Sequence, residues 1–367
     1  MIYFDNASTT KPCEKSVRYS NSYLTDKFFN ASSIYKQGIE NKNQLTACKK
    51  LIAKTLGVEF KDNVIFTGSA TEANNLAING TLRKNFKKLI FSESEHPSVY
   101  ITALDLKNKG YNVEFIKLNS NGSVDIEDFK QKLTPDTSFI SIMHINNETG
   151  AINDLDKLLD IKNKICPNAI FHSDGVQAFG KIKYTLNPDI DLYSISAHKI
   201  HGPKGVGALY VKNKSKLSPI IFGGGQEYNL RSGTENVAGI MGFMGAIEEI
   251  DYNTQIADIK KYIIANLDKN FKVNGENTSP YILSLSYKGL NGETLVHMLE
   301  CEDILISRGS ACSGSKVGNR ILTAMGLEKE YVISSIRLSF SRYNTLEEAK
   351  IVTQKLNDFA KQLVSLQ

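Results

Sequence analysis

The sequence lacks any long apolar run and any leader-like start. None of its apolar stretches approaches the roughly 20 residues that a membrane-spanning helix needs. The first residues, Met1 to Asn6, contain neither a positively charged region nor the apolar core of a secretory signal. With 367 residues, 41% of them hydrophobic and 23% charged, the composition is that of a soluble globular protein of about two domains. A cytoplasmic location is expected.

Cysteines are few, and no two of them form a Cys-x-x-Cys pair. The chain has five: Cys13, Cys48, Cys166, Cys301 and Cys312. An odd number at irregular spacing argues against a disulfide framework and a structural zinc site, so reduced thiols and no metal are expected. The net charge of +5 is spread along the chain, and Lys-rich stretches such as Arg83 to Lys88 are typical of a solvated surface. Stable nucleic-acid binding is therefore not expected.

The middle of the chain alternates between short β-rich runs and helix-period segments, without an internal repeat. Helix-period segments such as Glu72–Leu82 and Val99–Asn108 lie between the runs. Strands that alternate with helices favour a mainly parallel sheet covered on both faces. The sequence therefore predicts an α/β fold with a mainly parallel seven-stranded sheet, whose strands are Asn63–Thr67, Lys88–Ser92, Asn112–Lys117, Phe139–His144, Ala169–Ser173, Leu192–Ser196 and Gly207–Val211.

The pattern changes after about Asp251. Amphipathic helices, Ile256–Asn270 and Leu346–Leu366, flank the shorter strands Tyr281–Ser286 and Ser335–Ser339. We expect a smaller α+β domain made of residues 1–12 and 251–367. Residues 13–250 are expected to form the large α/β domain.

Chemically capable side chains follow the predicted strands where the strands end. In an open α/β sheet, ligands bind beyond the carboxyl ends of the strands. Each residue alone has an ordinary explanation: a lysine after a strand is usually a surface residue, and an aspartate there suits a helix N-cap. Taken together they complement one another chemically. They are the turn Gly68 to Thr71, His96, Asn146, Asn147, Asp174, Gln177, Ser196, His198 and Lys199.

This set meets the three needs of pyridoxal phosphate, which are an amine for a Schiff base, a carboxylate at the pyridine nitrogen and an anion cup for the phosphate. Lys199 can supply the amine and Asp174 the carboxylate, which keeps the pyridine nitrogen protonated. The turn at Gly68 to Thr71 opens a helix, whose free N–H groups can bind the phosphate. Ser196 and His198 can add phosphate donors. The residues therefore predict a pyridoxal-phosphate site.

A series of ordered motifs covers nearly the whole chain and carries a resemblance to a known family. The motifs are Tyr3–Thr10 (YFDNASTT), Ala70–Asn75 (ATEANN), Glu95-His96, His144–Gly150 (HINNETG), Asp174–Gln177 (DGVQ), Ser196–Lys199 (SAHK), Gly202–Gly205 (GPKG), Arg231–Thr234 (RSGT) and Ser307–Cys312 (SRGSAC). The sequence resembles the NifS/IscS-like cysteine desulfurases of the class V aminotransferases. The resemblance implies fold type I of the PLP-dependent transferases and a reaction that converts L-cysteine to L-alanine, with sulfur transferred to a cysteine as a persulfide.

The resemblance also implies a role for each matching residue. Catalysis would fall to Lys199, which carries the cofactor as a Schiff base, to His96, which stacks on the ring and shuttles protons, and to Cys312. The cofactor would be bound further by Asp174 at the pyridine nitrogen, Gln177 at the ring oxygen, Asn147, and Ala70 (through its backbone), Thr71, Ser196 and His198 at the phosphate. Thr234 would reach the phosphate of a partner subunit, which implies a homodimer. Arg337 would clamp the substrate carboxylate, with Asn147 as a further substrate contact and Asn146 less suited to it.

Cys312 is the residue that separates a desulfurase from an aminotransferase. It lies in a polar, glycine-rich segment, where Arg308 and Lys316 can favour its thiolate. Cys301, within a helix predicted for Leu295–Leu305, is expected to be a small buried apolar residue instead. Two histidines, His144 and His172, are expected in strands as core residues.

Three positions depart from the family pattern without removing a catalytic group. Ala31 stands where proline is usual, Tyr35 where histidine is common, and Gly68-Ser69 reverses the commoner order. The alternatives are a selenocysteine lyase or other class V enzyme, and a non-catalytic persulfide relay. A non-catalytic relay has no need of a cofactor site made of Lys199, Asp174 and His96. A sulfur-acceptor protein is an expected partner, for iron–sulfur cluster assembly or tRNA thiolation.

Overall fold

The computed structural model describes residues 1–83, 85–252, 255–309 and 319–365. Its strands are β1 (Ile2–Tyr3), β2 (Val64–Thr67), β3 (Lys88–Ser92), β4 (Val113–Ile116), β5 (Thr137–Ser141), β6 (Ile170–Asp174), β7 (Leu192–Ser196), β8 (Gly207–Val211), β9 (Phe271–Val273), β10 (Ile282–Tyr287), β11 (Ile304–Leu305) and β12 (Ile336–Ser339). Its helices are α1 (Glu14–Thr25), α2 (Lys36–Thr55), α3 (Ala70–Thr81), α4 (Pro97–Asn108), α5 (Ile126–Lys132), α6 (Leu155–Ile165), α7 (Gln226–Asn229), α8 (Val237–Glu248), α9 (Gln255–Asn266), α10 (Gly292–Glu300), α11 (Arg320–Ala324), α12 (Lys329–Ile333) and α13 (Leu346–Ser365).

The predicted seven-stranded, mainly parallel sheet is confirmed, with the spatial order β2-β8-β7-β6-β5-β3-β4. The pairs β3–β4, β3–β5, β5–β6 and β6–β7 are parallel, whereas β8 runs antiparallel to both β7 and β2. Residues 197–206 alone connect β7 to β8, which is too short for a crossover helix, so the chain turns back beside the strand it has just left. The carboxyl ends of β2, β3, β5, β6 and β7 therefore meet at one edge of the sheet.

Helices cover both faces of this sheet, and successive side chains of β2 show how. Val64 and Phe66 lie in one apolar core with residues of α2, α6 and α8. Ile65, between them, lies in a second core with residues of α3 and α4. Because both faces are buried, the strands read as continuous apolar runs, which is the pattern that predicted them.

The second sheet has three antiparallel strands in the order β12-β10-β9. Its core combines residues of α9, α10 and α13 with Phe4 from the start of the chain. Strand β1 pairs in parallel with β11, so that Ile2 lies opposite Ile304. The first residues thus share a core with the last third of the chain, and the domain boundary near residue 250 stays a prediction.

The longest helices bury one stripe each and leave the rest to solvent. In α2 the buried stripe includes Leu45, Cys48 and Ile52, and in α13 it includes Val352 and Leu356. Both helices carry charged residues on the remaining surface, as amphipathic helices do. Within the described ranges, no helix is both long enough and apolar enough to cross a membrane.

Two sequence-based expectations near these elements are wrong. The helix predicted for Leu295–Leu305 ends at Glu300, because the next apolar residues, Ile304–Leu305, pair with β1 instead. Cys301 follows the end of this helix and is exposed rather than buried, since the buried stripe of α10 runs through Leu295 and Leu299.

The two core histidines are buried as expected, but only one of them lies in a strand. His172 is in β6, and its ring nitrogens lie 2.9 Å from Ser141 Oγ and 3.0 Å from Ser194 Oγ. Strand β5 ends at Ser141, because the chain bends at His144 into the following turn. His144 therefore lies beyond the strand, with Nδ1 2.8 Å from Tyr193 Oη.

Candidate active site

A cleft of about 440 Å³ opens at the edge of the sheet where the strands end. It brings together ten of the predicted site residues: Ala70, Thr71, His96, Asn147, Asp174, Gln177, Ser196, His198, Lys199 and Arg337. Thr234 does not line it and is exposed, and Cys312 lies outside the described residues. Asn146, the less favoured candidate, is fully buried, and its side-chain oxygen accepts from the N–H groups of Glu148 and Thr149. The cleft size suits a cofactor with a small substrate, while the roles of the residues stay predictions.

Lys199 ends the single helical turn that follows β7. Its Nζ donates hydrogen bonds to the carbonyl oxygens of Ala7 and Ser8, each at 2.7 Å. Burial, and then the positive charge of Arg337, lower the pKa of Lys199 to about 8. A fraction of this amine is therefore unprotonated near neutral pH and able to act as a nucleophile or base.

Asp174, the last residue of β6, is held by two donors. Its Oδ1 accepts the Val176 N–H at 3.0 Å, and its Oδ2 accepts from Asn74 Nδ2 at 2.8 Å. Asn74 is fully buried on α3 and also donates to Ser98 Oγ at 2.8 Å. Asn74 belongs to the ATEANN motif, but its contact with Asp174 was missed from the sequence. The amide of Asn74 orients the carboxylate of Asp174 toward the cleft.

Replacing Asn74 by alanine is expected to weaken the binding of pyridoxal phosphate at least about tenfold, because a hydrogen bond to a charged group typically contributes about 1.5–3 kcal/mol. The dissociation constant is measured by absorbance titration of the cofactor-free protein. Asn75→Ala is the matched control, since Asn75 bonds to the Thr71 carbonyl oxygen on the same helix and does not line the cleft. Equal dissociation constants for both variants would count against the role given to Asn74.

His96 begins α4 as its N-cap residue, with Pro97 in the first turn. Its Nδ1 accepts the N–H of Ser98 at 3.1 Å. The pKa of His96 lies below its usual value, and burial is the largest cause. A neutral imidazole whose Nδ1 accepts a hydrogen bond carries its proton on Nε2, so His96 presents a single exchangeable proton at this atom.

The far end of the cleft has the features of an anion cup. Ser69 is the N-cap of α3, and its Oγ accepts the Glu72 N–H at 3.2 Å. The next two N–H groups, of Ala70 and Thr71, belong to the first turn of this helix, where N–H groups lack intrahelical partners. The buried Ser196 Oγ has no hydrogen-bond partner among the described residues. A phosphate group would supply the acceptor that this hydroxyl and these amides lack.

The near end of the cleft is built around Arg337 of β12, which is 4% exposed. Its Nη2 donates to Asp5 Oδ1 at 2.9 Å and to Ser8 Oγ at 2.7 Å, and its Nη1 donates to the Asn147 carbonyl oxygen at 2.8 Å. Within the described part of the chain, Arg337 Nε and Asn147 Oδ1 are buried without a partner. Unpaired buried polar atoms are rare, and here they fit a polar ligand such as a carboxylate bound beside the cofactor.

Glu148 is a second residue that sequence reasoning missed, although it lies in the HINNETG motif. It is buried, with Oε1 3.5 Å from Arg337 Nη1 and Oε2 accepting from Asn319 Nδ2 at 3.2 Å. A Cβ added to Gly309, whose φ is +80°, would lie 2.0 Å from Glu148 Oε2, so only glycine fits there. Glu148 thus contacts both residues that flank the undescribed segment with Cys312, and it joins them to Arg337.

Comparisons with known proteins agree with this geometry. Residues 2–352 match the family described as Aminotransferase class-V. A NifS/IcsS protein homolog from Lactobacillus delbrueckii subsp. bulgaricus is 40% identical over 365 residues, covering 95% of this chain and 94% of that protein. A putative cysteine desulfurase IscS 1 from Bacillus subtilis is 36% identical over 378 residues, covering 99% of each.

Solved structures give the same result. A NifS-like protein superimposes with a TM-score of 0.92 at 31% identity, covering 99% of this chain and 100% of that one. SspA in complex with cysteine superimposes with a TM-score of 0.84 at 30% identity, covering 94% of this chain and 100% of that one. The fold type I architecture implied by the resemblance is confirmed.

Proposed function

Because this chain belongs to the class-V aminotransferase family, in its NifS/IscS-like group, we propose that it is a PLP-dependent cysteine desulfurase that converts L-cysteine to L-alanine. The observation that carries the proposal is one cleft that collects Lys199, Asp174 and His96 beside a Ser196 hydroxyl that has no hydrogen-bond partner among the described residues. These groups match the amine, carboxylate and anion cup that the cofactor needs. A persulfide relay without catalysis would not require this set.

The residues that would hold pyridoxal phosphate are Lys199 through a Schiff base, Asp174 at the pyridine nitrogen, Gln177 at the ring oxygen, and Ala70, Thr71, Ser196 and His198 at the phosphate. When bound, the cofactor supplies a protonated ring that accepts the electron pair left on the substrate Cα. Burial lowers the pKa of His198 to about 4, so this residue would bind the phosphate as a neutral N–H donor.

Three side chains would bind the substrate and move its protons. Arg337 would bind the substrate carboxylate by donating to it. Its Nε is available for this, since it has no partner among the described residues. Lys199, with its lowered pKa, is positioned to take a proton from the substrate Cα. His96 would take part in these proton transfers from the same cleft, where its Nε2–H is a hydrogen-bond donor.

Sulfur transfer would use the Cys312 thiolate. Its sulfur forms an S–S bond with the substrate sulfur while the C–S bond of the substrate breaks, and the carbon left behind takes up a proton to give alanine. The products are alanine and one persulfide on Cys312. An acceptor protein would then remove the outer sulfur for iron–sulfur cluster assembly or tRNA thiolation. A thiol that must stay reduced suits the cytoplasmic location that we propose.

Alanine production from L-cysteine by the cofactor-loaded protein, with a thiol reductant present, tests the proposal. Alanine formed in step with sulfide would support a cysteine desulfurase. A parallel assay with L-selenocysteine separates the alternative of a selenocysteine lyase, for which turnover of the selenium substrate alone is expected. A normal cofactor spectrum with no alanine from either substrate would contradict the proposed function.

We also propose that the enzyme is a homodimer with shared sites. Large apolar side chains are exposed in two segments, including Ile34 at 94% and Phe222 at 81%. Nearby residues of the same segments, Ser32 and Gly224, help to line a second cavity of about 390 Å³. Exposed apolar surface of this kind is typical of subunit interfaces. Thr234 is exposed outside the cleft of its own chain, which leaves it available to a partner's phosphate.

Co-assembling two impaired variants, at a cofactor concentration too low to saturate Thr234→Ala, is expected to test the shared sites. Thr234→Ala should weaken cofactor binding about tenfold, as for other hydrogen bonds to charged groups. In a mixed dimer with Lys199→Ala, one site would combine an intact Lys199 with the partner's intact Thr234, so the mixture should turn over cysteine faster than either variant alone. Light scattering checks that the mass is that of a dimer. A mixture no faster than the mean of its components would show that each chain completes its own site.

A further inference from the structure

A second lysine is buried beside the cleft and has no role in the mechanism above. Lys181 follows β6 and is 7% exposed. Its Nζ donates to Gln177 Oε1 at 2.6 Å and lies 5.8 Å from the centroid of the Tyr281 ring. It forms no ion pair with any carboxylate of the described residues. Burying an unpaired ammonium is costly, so a lysine in this place needs an explanation other than stability.

The hydrogen bond from Lys181 fixes which way the Gln177 amide faces. An ammonium only donates hydrogen bonds, so it requires the amide to present its oxygen. The Gln177 Nε2 then points the other way and donates to the Ala7 carbonyl oxygen at 3.0 Å. The same carbonyl oxygen accepts from Lys199 Nζ at 2.7 Å. Lys181 therefore keeps both N–H groups of the Gln177 amide on the side of Lys199; one donates to the Ala7 carbonyl oxygen, and the other would be the donor for the ring oxygen of the cofactor.

Lys181 is also a positive charge close to Lys199. Both residues line one small cavity, of about 30 Å³, together with Asp251 and Arg342. Burial, and then the charges of Lys199 and Arg337, lower the pKa of Lys181 to about 7. Interaction between two charged groups is reciprocal, so a protonated Lys181 also disfavours a positive charge on the Lys199 nitrogen.

We propose that Lys181 is a positioning residue for the cofactor: it holds the Gln177 amide with its N–H toward the ring oxygen, and its charge favours the unprotonated Schiff-base nitrogen of Lys199. This inference rests on the proposed function and adds to it a residue that does not touch the substrate. An unprotonated nitrogen at Lys199 could take the proton of the incoming substrate ammonium, which would leave the substrate as the free amine that is able to attack.

The experiment is a pH titration of the cofactor absorbance in the purified holoenzyme and in three variants. Lys181→Met removes the charge and the donor, Lys181→Gln removes the charge but keeps a donor for Gln177 Oε1, and Lys181→Arg keeps both. In the Met and Gln variants the pKa of the Schiff base should rise by about one unit, because a nearby like charge is lost. In Lys181→Arg it should stay within about 0.3 units of the wild type on the same grounds.

The Tm of thermal unfolding gives a second readout. If Lys181 only stabilised the fold, its replacement would lower the Tm, whereas the proposed role predicts that the Tm rises. Because burial lowers the pKa of Lys181 from 10.5 to about 7, the folded protein binds fewer protons here than the unfolded chain between these values, and stability rises with pH across this window. The cost of the buried charge is therefore largest below pH 7. Lys181→Met should raise the Tm by a few degrees at pH 6 and by less at pH 9.

Each outcome decides between the claims. An unchanged or lowered Schiff-base pKa in both neutral variants, with the chromophore intact, overturns the inference about Lys181 alone. If Lys181→Met does not fold, Lys181→Gln carries the same test of the charge. A wild-type protein that binds no pyridoxal phosphate overturns the proposed function, and the inference with it.

Discussion

Cys312→Ser is expected to abolish alanine formation from L-cysteine, with a loss of at least about a thousandfold, because a serine hydroxyl is protonated at neutral pH and is a far poorer nucleophile than a thiolate. The serine variant should still bind the cofactor, since Cys312 has no role in holding it. The absorbance change on adding L-cysteine should also persist. Turnover, quantified as alanine by chromatography, is the measurement.

Cys301→Ser is the matched control for this experiment. Cys301 is an exposed cysteine that follows the end of α10, and its replacement should leave turnover unchanged. Mass spectrometry of the protein after one turnover without reductant should find one added sulfur atom on the Cys312 peptide and none on the Cys301 peptide. Undiminished turnover in Cys312→Ser would reject Cys312 as the nucleophile while leaving the cofactor site intact.

Lys199→Ala is expected to have the second large effect, with turnover reduced by at least about a thousandfold, because the variant loses both the covalent anchor and the base of the reaction. The Schiff-base absorbance should disappear from the purified protein. The cleft should otherwise persist, since the two hydrogen bonds of Lys199 Nζ go to main-chain carbonyl oxygens of Ala7 and Ser8. Spectra before and after borohydride reduction measure the linkage.

Lys204→Ala is the control lysine, because Lys204 is exposed in the neighbouring GPKG motif and does not line the cleft. It should keep the absorbance and the turnover of the wild type. If the Schiff-base spectrum survives in Lys199→Ala and is lost in Lys204→Ala, the cofactor is anchored to Lys204, and the role given to Lys199 is wrong. Circular dichroism of each variant checks that the fold is preserved.

The strands of the large sheet were predictable because both of their faces are buried. Three of them, Lys88–Ser92, Leu192–Ser196 and Gly207–Val211, have the predicted bounds. A strand buried on both faces is a short apolar run between polar turns, and this pattern is local in the sequence. The direction of β8 is not encoded in the apolar periodicity. It is antiparallel because the connection at residues 197–206 is too short for a crossover.

Elements that depend on distant partners were predicted less well. The residues Ile304–Leu305 continue the apolar period of α10, and the sequence alone favours one helix through Cys301. They form a strand instead because Ile2–Tyr3, at the other end of the chain, supplies their hydrogen-bond partners. A pairing between the two ends of a chain leaves no signal in either segment.

The candidate site could be predicted from the sequence as a set of residue types at strand ends, because the apolar pattern locates the strands that these reactive groups follow. How the groups are held depends on contacts that form only in the folded protein. Asn74 bonds to Asp174, 100 positions later in the chain, and Arg337 bonds to the Asn147 carbonyl oxygen across 190 positions. The contacts of Glu148 with Arg337 and Asn319 also join positions far apart in the chain. Local propensity and spacing describe neighbours along the chain, whereas hydrogen bonding inside a buried cleft depends on which segments the packed sheets bring together.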